Sequence, residues 1–437
     1  MGYFIFLSVF IAYIVTALTK QKNCVKLILI TSALPFTLLM PSFVVPIGGG
    51  VNPQAFLLLL IFFTIAFLNL TNAHGLLMTA KTFPFWTLFV LYSGASIVHG
   101  PSFFEGMVFF IKMAVPFMVT AALVNIIRKD EEKYQVEKSI LLAGSILVLL
   151  GVFNFLTGGV FDSAVGRIKW GGTNVLVAPF MSPANFSFML IVPALISFSR
   201  FLLTKRVLWF LLYVAFSASV FLAFTRISMA GLVLGSIVVF GLMKRSYVIT
   251  FSTPFVSGII VILSILYIPA VQKRMFFEGA KIDFSASNMQ KLIDSVNTSG
   301  RTSLWQAAID YFESTSQWYG AGAGSVDYWL AAHSKAAALH SEFLRLYLDL
   351  GILGLVCFIL AVLELFFKPL LKLGIKNVPM NILRNIAVFI GIFSAYFMTL
   401  LTDNTLNYVT EFSVYSFSMM ALIYVGSDPI NNGSQTC

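Results

Sequence analysis

Long apolar runs recur along nearly the whole chain, and they restrict it to one broad kind of fold. The runs at residues 55–70, 139–156 and 248–268 approach or reach the roughly 20 apolar residues that an α-helix needs to cross a bilayer. Several runs are shorter, and two neighbours can form one re-entrant pair, so the sequence predicts about 12–13 transmembrane helices. The candidates lie at residues 3–19, 27–47, 55–70, 83–98, 104–126, 139–157, 182–199, 207–224, 229–243, 248–268, 350–367, 385–402 and 408–425.

The overall composition excludes a soluble protein. Hydrophobic residues make up 59% of the 437 residues, charged residues make up 11%, and the mean hydropathy is +0.91. A soluble domain of this length cannot bury so much apolar surface, because its core grows too slowly with chain length. The sequence therefore predicts an all-α fold, a polytopic integral membrane helical bundle.

Lysine and arginine are concentrated in alternate loops. If the runs alternate in direction, the loops on one side hold 17 Lys and Arg against 4 Asp and Glu. This positive-inside pattern makes those loops cytoplasmic. They are residues 20–26, 71–82, 127–138, 200–206, 244–247 and 368–384. The opposite short loops contain only Arg167, Lys169 and Arg226 as basic residues.

The same pattern accounts for the charge and for the first run. The formal charge of +10 is mostly a topology signal, since no soluble module with a basic, aromatic-lined face for nucleic acid is present. Residues 3–19 have no basic segment before them and no small-residue cleavage site after them, so a retained helix is expected rather than a signal peptide. Cys24, Cys357 and Cys437 are too scattered to predict a disulfide or a zinc site.

One long polar segment interrupts the apolar pattern. We therefore divide the chain into transmembrane helices 1–10 (residues 1–269), a large outward loop (270–349), and C-terminal helices with a short tail (350–437). In the loop, residues 301–318 are predicted to form an amphipathic helix along the membrane surface, with Ile309 on its apolar face. A glycine-rich turn follows it.

Four residues predicted to face outward are the candidates for chemistry: Arg226, Arg301, His333 and His340. Arginine binds phosphate through a planar fork of donors, and a neutral imidazole can accept a proton from a hydroxyl. Each has a structural alternative, since an arginine beside a span often only anchors it and a loop histidine is usually solvated. Lys112, inside a span, is expected to pair with an acid such as Glu105, Glu364 or Glu411.

Several motifs together resemble one family. One motif consists of His340-Ser341, then nine residues, Gly351, two more residues and Gly354. This motif resembles the signature of the O-antigen ligase and O-antigen polymerase superfamily. Further elements resemble those of the same superfamily in the same order: Thr225-Arg226-Ile227-Ser228, Arg301-Thr302-Ser303-Leu304-Trp305 and Tyr319-Gly320-Ala321-Gly322-Ala323-Gly324-Ser325. The resemblance covers residues 220–360.

The resemblance implies a multi-pass protein of the bacterial inner (cytoplasmic) membrane, with its active site on the periplasmic side. His340 would activate the acceptor hydroxyl, and Arg301 and Arg226 would bind the diphosphate of an undecaprenyl-diphosphate-linked oligosaccharide. No metal or other cofactor is expected, because arginine would take the place of the divalent cation. The predicted substrate-binding residues are Arg167, Lys169, Gly322, Gly324 and Glu342.

Membrane lipid is a further expected partner, and a polysaccharide chain-length regulator is a candidate partner. Nucleic acid is not expected to bind. With Glu342 soon after His340, this stretch looks more like that of the polymerases of the superfamily, so the resemblance favours an O-antigen or exopolysaccharide polymerase, which extends a lipid-linked repeat unit. The alternative is a ligase, which transfers the glycan to lipid A core. A lipid-linked oligosaccharide transporter is disfavoured, because no pair of matching halves with broken helices is visible.

Overall fold

The computed structural model of the chain describes residues 2–32, 53–71, 73–127, 129–158, 169–170, 173–179, 181–244, 301–333, 339–374, 378–402, 405–407 and 409–425. These ranges are helical except for turns and one short hairpin, in which β1 (Lys169–Trp170) pairs antiparallel with β2 (Thr173–Asn174). The predicted span at residues 248–268 and the first part of the predicted outward loop lie outside the described residues.

The helices are numbered in chain order. They are α1 (Gly2–Thr19), α2 (Gln21–Ser32), α3 (Pro53–Thr71), α4 (His74–Thr82), α5 (Pro84–Ala95), α6 (Phe103–Ile126), α7 (Asp130–Leu156), α8 (Pro183–Thr204), α9 (Val207–Leu222), α10 (Arg226–Met243), α11 (Arg301–Phe312), α12 (Ser325–His333), α13 (Glu342–Leu371), α14 (Met380–Thr402) and α15 (Val414–Tyr424). Short 3₁₀ turns lie at Ser96–His99, Lys372–Gly374 and Thr405–Asn407, and a π-helical turn, Val409–Ser413, leads into α15.

Six of the described helices are long and apolar enough to cross a membrane: α6, α7, α8, α10, α13 and α14. A seventh span is formed if α3 and α4, which meet at an angle of 101°, are taken as one broken span. The predicted all-α, polytopic membrane bundle is therefore confirmed. The helix ends follow local sequence signals, as at α6 and α8, where Ser102 and Ser182 accept backbone N–H bonds in the first turn.

Small residues bring α10 and α14 into close antiparallel contact. A Cβ atom added to Gly231 would lie 3.1 Å from Cβ of Ala395, and one added to Gly235 would lie 2.8 Å from the carbonyl oxygen of Gly391. Membrane helices use such residues where their backbones approach closely. The same register places the N-terminus of α10 level with Leu400, near the C-terminal end of α14.

One end of the bundle, here called the basic end, joins segments that the charge pattern places in the cytoplasm. Lys22 pairs with Glu132, and the ammonium group of Lys368 donates to the carbonyl oxygen of Thr82. Each contact links two different loops that the positive-inside pattern assigns to the same side. The alternation of the predicted loops therefore agrees with the contacts in the structure.

A buried ion triad lies at the basic end. Glu137 on α7 is 0% exposed and accepts hydrogen bonds from Arg200 on α8, at 2.9 Å from Nε, and from Arg384 on α14. Arg200 also lies over the rings of Tyr134 and Trp209. The triad thus ties together three helices through a single carboxylate.

Replacing that carboxylate is expected to cost much of the stability. Glu137→Gln leaves two arginines without their shared counter-charge, and breaking such a buried pair typically costs about 3–5 kcal/mol. Glu132→Gln is the matched control, because its partner Lys22 is 55% exposed and an exposed pair contributes at most about 1 kcal/mol. Thermal unfolding of the two purified variants in one detergent measures the difference, and equal midpoints would contradict the structural role of Glu137.

The opposite end, here called the insertion end, gathers the segments that the sequence places outside. The backbone N–H of Ala323 donates to the carbonyl oxygen of Ser96 at 3.3 Å, and that of Leu176 donates to Leu222 at 2.9 Å. These bonds join the polar insertion to the turn before α6, and the segment after the β-hairpin to the end of α9. Helices α11 and α12 also lie at this end.

Candidate active site at the insertion end

Helices α11 and α12 pack on the start of α13 through a small apolar core of their own. Its buried members are Ala308, Phe312, Val326, Trp329, Leu330, Leu339 and Leu348. The predicted amphipathic helix is therefore present, but it ends at Phe312 rather than at residue 318, and Ile309 is 42% exposed. Its buried face contacts α12 and α13, and its location along the membrane surface stays a prediction.

His340 lies at the turn that leads into α13. Its φ angle is +57°, in the left-handed region that few non-glycine residues occupy, and its side chain is half-buried. The next residue, Ser341, caps α13 by accepting the N–H of Leu344 at 3.4 Å. On the other side, the carbonyl oxygen of Leu339 accepts a hydrogen bond from Trp305 Nε1 at 2.6 Å. Strained backbone of this kind is concentrated at functional sites.

Arg301 is the first residue of α11. One helical turn later on the same helix, Trp305 donates the hydrogen bond to Leu339, which immediately precedes His340. The helix that begins at Arg301 is thereby fixed to the turn that contains His340.

Arg226 is the first residue of α10 and is exposed. Beside it, the hydroxyl of Ser187 on α8 lies 2.6 Å from that of Thr225 and 2.7 Å from that of Ser228. Because α10 runs antiparallel to α14, Arg226 lies at the end where α14 leads into the turn Thr405–Asn407. That turn contacts the first residues of α13, so the elements carrying Arg226, Arg301 and His340 meet at one end of the bundle.

The other predicted substrate-binding residues differ in what the structure shows of them. Lys169 is in β1, in the hairpin ahead of the buried segment at residues 175–178, and Arg167 lies outside the described residues. Gly322 and Gly324 are buried, and a Cβ atom at either would come within 2.5 Å of backbone atoms of the α5–α6 region. The structure therefore explains these two glycines by close backbone packing, and substrate binding by them stays a prediction.

Gly351, part of the motif that singled out this region, breaks α13. Its φ and ψ angles are 69° and −169°, so the helix kinks there. The N–H of Ile352, freed by this break, donates to the carbonyl oxygen of Gln317 at 2.9 Å. On the other side of the kink, the carbonyls of Leu348 and Asp349 accept from the N–H groups of Ala321 and Gly322, at 2.9 and 2.8 Å. The kink is thus a docking point for the backbone of the insertion.

A buried arginine lies below the His340 turn. Arg345 is 1% exposed, and its two terminal nitrogens donate to Asp327 Oδ2 on α12 at 2.7 Å and to Asn407 Oδ1 at 3.0 Å. Its guanidinium carbon lies 5.1 Å from the centroid of the Phe109 ring on α6. This one side chain therefore connects the insertion, the α14–α15 connection and the transmembrane core.

Lys112 is paired, as expected, but with an acid on the insertion. Its ammonium nitrogen donates to Asn407 Oδ1 at 2.8 Å and lies 3.6 Å from Asp327 Oδ2. Of the three acids predicted as partners, Glu105 is near enough to interact electrostatically with Lys112. Glu364 instead accepts from the backbone N–H groups of Phe85 and Trp86 and pairs with Lys368. The side chain of Glu411 lies outside the described residues.

Glu342, predicted to bind substrate, is 0% exposed and belongs to this buried cluster. One carboxylate oxygen accepts the N–H of Leu406 at 2.9 Å, and the other lies 3.5 Å from Arg345 Nη1. Asp349 closes the cluster, accepting the N–H of Val326 at 2.8 Å with its second oxygen 3.8 Å from Arg345 Nε. A direct contact between Glu342 and substrate stays a prediction, whereas its contacts within the protein are defined.

Electrostatics favour a charged Asp327 in spite of its burial. Burial alone would raise the pKa of this carboxyl, but the positive charges of Arg345 and Lys112 outweigh that effect and lower the pKa below its usual value. Asp327 is therefore ionised at neutral pH. Since the pKa is lower in the folded than in the unfolded protein, the stabilisation is present above the ordinary carboxyl range and is lost as the pH falls through the folded-state pKa.

Sequence patterns did not single out this cluster, although one signal was available. Glu342, Arg345 and Asp349 are spaced at i, i+3 and i+7 in the first turns of an apolar helix, where three charged residues on one face indicate burial against other charges. Among the described residues, no group of three or more His, Cys, Asp or Glu side chains is placed to hold a metal ion. The metal-free reaction stays a prediction.

Comparison with known proteins finds a family match for the part of the chain that contains these residues. A family model described as O-antigen ligase matches residues 210–359, a range that includes Arg226, Arg301, His340 and the Gly351 kink. No characterised protein gives a match over the chain. The family match agrees with the motifs and with the helical membrane fold, and it supports the resemblance of this segment to the superfamily of O-antigen ligases and polymerases, whose members are glycosyltransferase-like enzymes of lipopolysaccharide biosynthesis.

Proposed function

We propose that this protein is an O-antigen or exopolysaccharide polymerase, which transfers a glycan from an undecaprenyl-diphosphate-linked donor onto a lipid-linked repeat unit. The observation that carries the proposal is the meeting, at the insertion end, of the elements that carry Arg226, Arg301 and His340. All three residues lie in the segment that matches the family model. Apart from the polar insertion, the loops at this end are poor in basic residues, so we place the site on the periplasmic side of the inner membrane.

The proposed reaction uses the three residues in two roles. The acceptor hydroxyl oxygen forms a bond to the anomeric carbon of the donor, and the bond from that carbon to the diphosphate oxygen breaks. His340 accepts the hydroxyl proton, and undecaprenyl diphosphate leaves with the bonding electron pair. Arg226 and Arg301 bind the diphosphate and stabilise the charge that develops on it, as bidentate guanidinium groups do.

A ligase that transfers the glycan to lipid A core is the second candidate. The description of the matching family, O-antigen ligase, favours it. The residue that favoured a polymerase, Glu342, is buried and holds Leu406 and Arg345, which gives it a structural role in either enzyme. The two enzymes share the donor and differ in the acceptor, so the product distinguishes them.

Deleting the gene in its host and restoring it tests the proposal. If the protein is a polymerase, the deletion strain caps lipid A core with a single repeat unit, and the restored strain shows a ladder of long chains on a gel. If it is the ligase, the deletion strain makes long chains that stay on the lipid carrier. Loss of all periplasmic lipid-linked glycan, with lipid-linked repeat units accumulating on the cytoplasmic face of the membrane, would instead indicate a transporter and would refute both glycan-transfer proposals.

A further inference from the structure

The buried cluster around Arg345 joins the two halves of the proposed site. One half consists of α11 and the His340 turn, which belong to the insertion and the start of α13. The other half is the N-terminus of α10, which packs along α14 and so lies near the turn Thr405–Asn407. The described contacts between these halves include two from the first turn of α13: Glu342 accepts from Leu406, and Arg345 donates to Asn407.

Arg345 also binds the insertion and the membrane core at the same time. Its other terminal nitrogen donates to Asp327 on α12, and its guanidinium lies over Phe109 on α6. Lys112 on α6 reinforces the arrangement by donating to the same Asn407 oxygen. Four separate elements therefore meet at a side chain that is five residues after His340 on the chain.

Burial makes this arrangement specific rather than adaptable. Arg345 and Glu342 are 1% and 0% exposed, so water cannot replace a lost partner. A guanidinium can bind two acceptors in fixed directions, whereas the ammonium of a lysine is a compact point charge on a flexible stem. Lysine in place of Arg345 would keep the charge but would not hold Asp327 and Asn407 in the same geometry.

We propose that Arg345 is a positioning residue for glycan transfer. It holds α12 and the Thr405–Asn407 turn against the first turn of α13, and it thereby sets the location of His340 relative to Arg226. This inference rests on the proposed function. It adds to that function a residue that contacts no substrate and acts through the His340 turn.

The test compares purified full-length variants in lipid nanodiscs, with an undecaprenyl-diphosphate-linked oligosaccharide as donor. Arg345→Lys is expected to lower kcat by a factor of about 10–100, because small displacements of reacting groups have effects of this size, while the donor KM changes less than about threefold. Arg384→Lys is the matched control, since Arg384 is also a buried, ion-paired arginine but lies at the basic end. It is expected to lose similar thermal stability and to keep its kcat.

A second variant keeps the test decisive if Arg345→Lys does not fold. Asn407→Ala removes one contact of Arg345 and, like Arg345→Lys, is expected to lower kcat. The double variant is expected to lower kcat little further than Arg345→Lys alone, because both changes break one shared contact. Wild-type kcat in Arg345→Lys, an equal loss of kcat in Arg384→Lys, or full kcat in Asn407→Ala would each overturn the positioning role.

Failure of the proposed function gives a different result from failure of the positioning role. If the wild-type protein forms no glycosidic product with any lipid-linked donor and acceptor offered, the proposed function fails and the inference fails with it. If the wild type transfers glycan, His340→Ala does not, and Arg345→Lys transfers at the wild-type rate, only the positioning role is lost.

Discussion

His340→Ala is expected to lower the rate of glycan transfer by a factor of about 10²–10⁴, the usual contribution of a positioned general base. The structure supports a large effect, because His340 adopts a left-handed φ of +57° between the Trp305–Leu339 hydrogen bond and the Ser341 cap. These contacts fix the backbone on both sides of the imidazole and do not depend on it. The variant should therefore fold and lose turnover, which a donor-to-acceptor transfer assay with purified protein measures.

Two comparisons separate a chemical role of His340 from a structural one. His333→Ala is the matched control, because His333 is also on the insertion, is exposed, and stacks on Trp329 with ring centroids 6.1 Å apart. It is expected to transfer glycan at close to the wild-type rate. Added imidazole should restore part of the activity of His340→Ala, since a small base can enter the space left by the side chain. Wild-type turnover in a folded His340→Ala protein would exclude the proposed base.

Arg226→Ala and Arg301→Ala are each expected to lower turnover by a factor of about 10²–10³, the cost of removing one group that stabilises charge in the transition state. Arg226 is exposed at the first residue of α10, so its replacement should not disturb the packing of α10 on α14. Each Arg→Lys variant should recover only part of the loss, because lysine keeps the charge and loses the planar fork. Turnover and donor affinity should both be measured, as diphosphate binding contributes to each.

The matched control for the two arginines is an exposed basic residue at the other end. Lys205 caps the end of α8 at the basic end, and Lys205→Ala is expected to leave transfer unchanged. If this variant lowered turnover as much as Arg226→Ala, the effect would reflect general loss of positive charge. Full activity in Arg226→Ala and in Arg301→Ala would show that neither binds the leaving diphosphate.

The sequence predicted the membrane bundle well because bilayer thickness imposes a length on apolar runs that can be seen directly in the residues. Runs such as residues 104–126 and 182–199 correspond closely to α6 and α8. The uneven distribution of basic residues also predicted that residues 20–26 and 127–138 share one side, and their contact in the structure agrees with this. The end of α11 was placed too late, at residue 318, although the five residues after Phe312 are polar and form a turn in the structure.

The candidate site was predictable only in part. Family motifs identified His340, Arg301 and Arg226, but local patterns cannot show which distant segments meet. Asp327 and Asn407 are separated from Arg345 by 18 and 62 residues, so their hydrogen bonds arise from tertiary packing alone. For the same reason Glu342 was assigned to substrate from its nearness to His340 in sequence, while the fold turns its carboxylate into the protein.

The docking of the insertion at the Gly351 kink has a consequence for how the protein can diversify. The bonds there join main-chain groups: Ala321 to Leu348, Gly322 to Asp349 and Ile352 to Gln317. Main-chain bonds do not depend on side-chain identity, so exposed positions of the insertion such as Tyr319 and Tyr328 can change without releasing it from the bundle. A fixed backbone under a replaceable outer surface would let related enzymes accept chemically different sugars on one scaffold.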